Sequence, residues 1–229
     1  MSNMSLAKIG GVCAILASIL YVVFLVLFFS LVGDIPGRED MGKRLMFFND
    51  HRTSIVYALW FFALAVLVNL VAFVGFHHAL RPAGPVLLLG LMASATGFLF
   101  ATIFIFVHLG MAYQLAPGYV SADAASRPAL EVVAKTLESG RSLVDGFAHV
   151  LFWGIGVAVY AWASFKTTLV AKWVGWLGLL AALLTGGAGA FESVWKAADI
   201  TATVGVIVFL VWMVAMGVGL LRRGEPATA

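Results

Sequence analysis

The sequence predicts an all-α polytopic membrane protein, a bundle of six transmembrane helices with short interfacial helices in two longer loops. Three observations carry that expectation. Of 229 residues, 62% are hydrophobic and only 11% charged, and the mean hydropathy is +1.03, far outside the range of soluble domains. The apolar residues gather in six long uncharged runs, near residues 6–32, 53–79, 85–113, 142–165, 170–194 and 200–221, each able to cross a hydrocarbon core that takes about 20 residues of helix. None is broken by the polar turns, every ten residues or so, that mark membrane β-barrels. Without water to satisfy the backbone, such runs must be helical. They fill the chain as one transmembrane domain, residues 1–229.

The first span follows Lys8 and reads IGGVCAILASILYVVFLVLFFSLV. It is longer than the apolar core of a secretory signal and lacks a clean small-residue cleavage site, so it is expected to be retained. Cys13 lies inside it and reads as a small apolar residue. Between spans one and two, EDMGKRLMFFND places Met41, Leu45, Met46 and Phe48 on one helical face. Between spans three and four, RPALEVVAKTLESG does the same with Leu130, Val133, Ala134 and Leu137. Both are expected to lie in the interface, leaving Lys43, Glu131, Lys135 or Glu138 in water, either to tie down the long connections or to form a lid over the outer mouth of the bundle. The turns HHALRPAGP and SFKTTLVAKW join spans two to three and four to five, with Pro82 and Pro85 stopping and restarting helices.

Six spans put both termini on one side, which carries Lys8, Arg81, Lys166, Lys172, Arg222 and Arg223 on short connections. The other side carries Arg38, Lys43, Arg44, Arg52 and Arg141 among many acids on long loops. Because orientation follows Lys and Arg in short loops, the termini are expected in the cytoplasm of a bacterium, with the protein in its plasma (inner) membrane. Scattered basic residues at helix ends give no surface for nucleic acid.

Polar residues inside spans are costly and informative. Asn69 sits near the middle of span two, with Thr96, Thr102 and Thr185 at other depths, all explicable as interhelical hydrogen bonds. Glycines in GWLGLL and TGGAGAF of span five permit close backbone approach. At 1.5 Å per residue, His108 near the end of span three and His149 near the start of span four both lie about 7–10 Å inside the outer leaflet. Asp145 is one turn from His149, and Glu192 closes span five on the same side.

These four residues, His149, His108, Asp145 and Glu192, form the candidate polar cluster. Two histidines could ligate haem b. His108, His149 and Glu192 or Asp145 could hold zinc with an open position for hydrolysis. Asp145 could fix the His149 tautomer in a proton relay. The plainer alternative makes Asp145 a first-turn acid at a helix N-terminus and leaves His149 to satisfy a partner within the bundle. No lysine lies deep in a span, as a retinal Schiff base needs, and the phosphate-loop, H-E-x-x-H and G-x-S-x-G motifs are absent. No cofactor is therefore expected. The leading expectation is non-enzymatic: binding of a membrane lipid or lipid-like ligand, or of another membrane protein or a second copy. A haem or metal protein using His108 and His149 comes second, and a small-solute transporter using Asn69 third.

The order of features, FFNDHRTSIVYALWFFALAVLVNLVAFVGFHHALRPAGPVLLLG and later GFAHVLFWGIGVAVYAWASFKTTLVAKWVGWLGLLAALLTG, resembles a bacterial six-helix integral membrane family catalogued only as a domain of unknown function. Asn49, the turn Ala79 to Pro82 and the stretch Leu177 to Leu180 carry the likeness. The resemblance implies the fold and a bacterial plasma membrane, and no catalytic residues.

Overall fold

The computed structural model describes residues 5–32, 35–191 and 196–223, among which there are helices and turns but no strand. We number the helices α1 (Leu6–Val32), α2 (Met41–Asp50), α3 (Arg52–Ala79), α4 (Leu87–Ser121), α5 (Arg127–Ser164), α6 (Lys172–Ala188) and α7 (Lys196–Arg223). Five of them, α1, α3, α4, α5 and α7, are long and apolar enough to cross a membrane, and α6 is a shorter apolar helix. This is a multi-pass membrane protein. The far end of the expected fifth span, including Glu192, lies outside the described residues.

The bundle surface has the inverse pattern of a soluble protein. Val26, Leu89, Leu183 and Ile200 expose more than half of their side chains, which is tolerable only against hydrocarbon. Between helices in lipid, where apolar burial gives no solvent-driven gain, close fit and dispersion hold the elements together. The α1–α3 contact shows this. Ala7, Gly10, Ala14 and Ala17 form a small-residue face on α1, and Gly10 meets Gly75 of α3 backbone to backbone, so that a Cβ on either would strike the other's Cα. Large aromatic residues fill the centre. Phe73 lies 5.2 Å from both Phe152 and Tyr160, and Phe76 packs edge-on to Trp212 at 5.7 Å, tying α3 to α5 and α7.

Two long helices differ from the sequence expectation. The segment expected as a separate interfacial helix before span four is the first half of α5, which runs unbroken from Arg127 to Ser164. Gly140 does not stop it, because its position faces open space and its polar neighbours find partners described below. Likewise α4 continues past residue 113 to Ser121. The shorter α2 does form. Asp40 caps it by accepting the Lys43 N–H at 3.1 Å. It buries Met41, Leu45 and Phe48 but turns Met46 outward.

Among the described residues three stretches widen from α to π geometry: Met111–Leu115, His149–Gly156 and Ala182–Ala188. Such turns recur at functional sites because they displace backbone and side chains from their regular positions. The second and third face each other. Gly154 of α5 and Gly186 of α6 touch through their backbones, and a Cβ on Gly186 would collide with Gly154.

Candidate functional site

The face of α5 turned toward α2 and α6 carries a polar stripe, Glu138, Arg141, Asp145 and His149, at spacings of three, four and four residues. At its start, Glu138 is 2% exposed, in contrast to the expectation that it lies in water. A buried carboxylate needs several donors or opposite charges to be tolerable, and here three guanidiniums supply them. Arg141 donates from Nε to Oε2 at 3.0 Å and from Nη2 to Oε1 at 2.7 Å. Arg44 of α2 donates from Nη2 to Oε1 at 3.3 Å, and Arg38 Nε lies 3.3 Å from the same oxygen.

Each arginine has a further contact that fixes its plane. Arg38 Nη1 donates to Ser142 Oγ at 2.9 Å, and Arg44 Nη1 donates to the Pro36 carbonyl at 2.9 Å. Arg44 also lies over the Phe48 ring at 5.5 Å and Arg141 over Phe104 at 5.0 Å. Burial pushes the Arg44 guanidinium below the usual arginine range, and the negative charge of Glu138 works against that shift. The cluster fastens α2 and its preceding turn onto α5. Asp145 beside Arg141 and Glu39 beside Arg44 add further negative charge around the three guanidiniums.

Further along the stripe, Asp145 sits in the middle of α5 and not in a first turn, so the helix dipole does not account for it. Its Oδ2 lies 4.0 Å from Arg141 Nη1 and its Oδ1 lies 3.8 Å from His149 Nε2. His149 reaches α6, where its Nδ1 is 2.8 Å from the Thr185 carbonyl. A carbonyl oxygen only accepts, so Nδ1 carries the proton in this bond. The Thr185 carbonyl takes a second hydrogen bond from the Gly189 N–H. Trp153, one turn on, packs against the imidazole at 5.0 Å, and Gly189 leaves the space its ring occupies.

His108 faces a different set of neighbours. Its Nδ1 lies 3.3 Å from the Phe104 carbonyl of its own helix, and its ring packs against Phe104 at 4.6 Å and Phe48 at 6.4 Å. Arg141, Glu138 and Arg44 are its charged neighbours. Among the described residues no hydrogen bond or ring contact joins His108 to His149, and no group of three His, Cys, Asp or Glu side chains is placed to hold a metal. The structure therefore joins Asp145 to His149 and sets His108 beside the arginines.

The intramembrane polar residues also differ from expectation. Thr102 and Thr185 donate back to Phe98 and Ala181 carbonyls of their own helices, at 2.8 and 2.6 Å, and not across to a neighbour. Asn69 is fully buried, and neither amide atom has a hydrogen-bond partner among the described residues. The hydroxyl of Tyr21 is its polar neighbour.

Beside His149, an apolar groove of about 460 Å³ runs between α5 and α6. Val150, Gly154 and Ala158 form one wall, Leu183 and Gly187 the other, and Phe191 lies at its end. Its Val150 and Ala190 end adjoins the Asp145–His149 pair: Val150 follows His149 in the chain, and the Ala190 carbonyl faces Gly146. A smaller groove of about 170 Å³, lined by Trp60, Leu67, Phe98 and Phe106, lies between α3 and α4.

Glu138, Arg38, Arg44 and Arg141 were not expected to act together. The signal was the i, i+3, i+4 spacing from Glu138 to His149, legible once α5 is taken as continuous through ESGRS. No curated protein and no solved structure matches the chain. A family model described as Domain of unknown function (DUF4386) matches residues 16–217, nearly all of the bundle. The chain thus belongs to the DUF4386 family of membrane proteins, and the resemblance read from its turns and span five is to a family of that description.

Proposed function

We propose that the protein is a non-enzymatic lipid-binding membrane protein that holds one acyl chain in the groove between α5 and α6. The observation that carries this reading is the composition of the groove: its walls are apolar side chains and glycine backbone, it opens to the side, and it measures about 460 Å³. Gly154 and Gly186 bring the two backbones together at its floor, and Gly187 leaves open the space a side chain would fill. At membrane depth the molecules that meet such an opening are lipid chains or the helices of a neighbouring protein. The polar pair at one end, Asp145 and His149, provides a place for a headgroup, which a purely apolar helix partner would not use. The setting we infer is the bacterial inner membrane, with both termini cytoplasmic and the α2 end outward.

Gly187 offers a clean test. A side chain there points into the groove, and its nearest neighbour is the Leu183 methyl at 3.6 Å from the added Cβ. Native mass spectrometry of the purified full chain should find one retained phospholipid in the wild type and none in Gly187→Phe. Equal lipid retention by the two proteins rejects the groove as the site. Crosslinking of Leu183 to a second polypeptide in membranes, with no lipid retained, replaces the lipid by a partner helix.

A further inference from the structure

The head end of the groove has an unusual pairing of acceptors. In the neutral imidazole the Thr185 carbonyl fixes the proton of His149 on Nδ1, so that Nε2 presents a lone pair, and what it faces is Asp145 Oδ1 at 3.8 Å. That separation is too long for a direct hydrogen bond. Arg141, the other neighbour of Asp145, stands 4.0 Å from the opposite oxygen and gives its two short hydrogen bonds to Glu138. Two acceptors facing each other in a medium of low polarity repel unless a donor stands between them. The side chains of Asp145 and His149 remain 25% and 14% exposed, and Val150, next to His149 in the chain, lines the groove.

A group that suits the gap carries at least two hydrogens and positive charge. A primary ammonium meets both conditions, donating one N–H to Nε2 and another to Oδ1. A quaternary ammonium has no N–H and cannot bridge them, and a neutral glycerol head lacks the charge. An exposed guanidinium of the neighbouring cluster supplies the complementary half. Arg38 is the guanidinium of the three that reaches outside, 49% exposed, and its contact Ser142 lies one turn before Asp145. A zwitterion with its ammonium at Asp145 and His149 would direct its phosphate toward that side.

We infer that the lipid held by this protein is an aminophospholipid, with its primary ammonium bridging His149 Nε2 and Asp145 Oδ1 and an acyl chain in the α5–α6 groove. This rests on the groove reading above and adds the headgroup class.

The experiment offers the full-length protein phosphatidylethanolamine, phosphatidylcholine and phosphatidylglycerol with identical acyl chains, and counts bound lipids by native mass spectrometry. Loss of a charge-assisted bridge predicts that phosphatidylethanolamine is retained about tenfold over either competitor. In Asp145→Asn, or in His149→Phe should the first variant not fold, the three lipids are retained within about twofold of one another. Wild-type protein that holds all three equally overturns the headgroup inference and leaves the groove standing. Retention unaffected by Gly187→Phe, whatever the headgroup, overturns both.

Discussion

Arg141 and Glu138 are joined by two hydrogen bonds, of 3.0 and 2.7 Å, between side chains that are almost entirely buried and lie one turn apart on α5. The pair completes a junction in which Arg44 and Arg38 reach the same carboxylate from α2 and the turn before it. A carboxylate so placed is the hub of the junction, since all three cations depend on it for their charge balance.

Removing the hub strands those cations. Glu138→Ala should destabilise the protein by about 3–5 kcal/mol, the usual cost of leaving buried charges unpaired. Arg38→Ala removes a half-exposed partner and should cost about 1 kcal/mol or less. Thermal unfolding in detergent compares the two; similar losses would show that the hub is not where the energy lies.

Gly186 and Gly187 are adjacent yet should respond oppositely. Gly186→Leu forces α6 away from the Gly154 backbone and should cost about 1–3 kcal/mol through overpacking. Gly187→Leu meets only a flexible Leu183 side chain and should change stability by about 0.5 kcal/mol or less. Melting curves that rank the two the other way would contradict the close approach of α5 and α6.

The tautomer of His149 is open to direct observation. Nitrogen-15 spectra of histidine-labelled protein should show a protonated Nδ1 on this ring, held by the Thr185 carbonyl at 2.8 Å. A signal showing Nε2 protonated, in the opposite tautomer or in the imidazolium, would remove the basis for a lone pair facing Asp145.

Asn69 tests whether its buried amide is truly alone. With no hydrogen-bond partner on either atom among the described residues and only the Tyr21 hydroxyl as its polar neighbour there, Asn69→Leu should leave stability unchanged or raise it by about 1–3 kcal/mol, the cost of an unsatisfied polar group. A loss of similar size in the melting curve would show that the amide holds a water or another polar molecule.

How much of this was legible beforehand varies with the kind of signal. Long apolar runs locate α1, α3 and α7 closely and the start of α4, because length and hydropathy alone decide such elements. The lower half of α5 was misread as a separate helix since its charged residues resemble a solvated loop, and single-sequence reasoning does not reveal that Arg38 and Arg44 return from about a hundred residues away to neutralise Glu138. The one-turn spacing of Asp145 and His149 places the two side chains near each other, 3.8 Å apart. His108 was set level with them on depth alone, and depth does not say which way a ring turns about its helix. The role given to Asp145 failed along with the helix boundary on which it depended.

The facing π segments have a consequence for how this sequence can vary. A π turn is an α-helix with one residue inserted, and each residue advances the helix by about 100°. Beyond His149–Gly156 and Ala182–Ala188, every side chain is out of phase with the α-helical part before it by that amount. A one-residue deletion inside either stretch would restore an ordinary helix, while the same deletion elsewhere in α5 would turn lipid-facing leucines inward. In α5 and α6 these two stretches are thus the places where the length of the gene can change by a codon without scrambling the rest of the helix, at the expense of the groove they enclose.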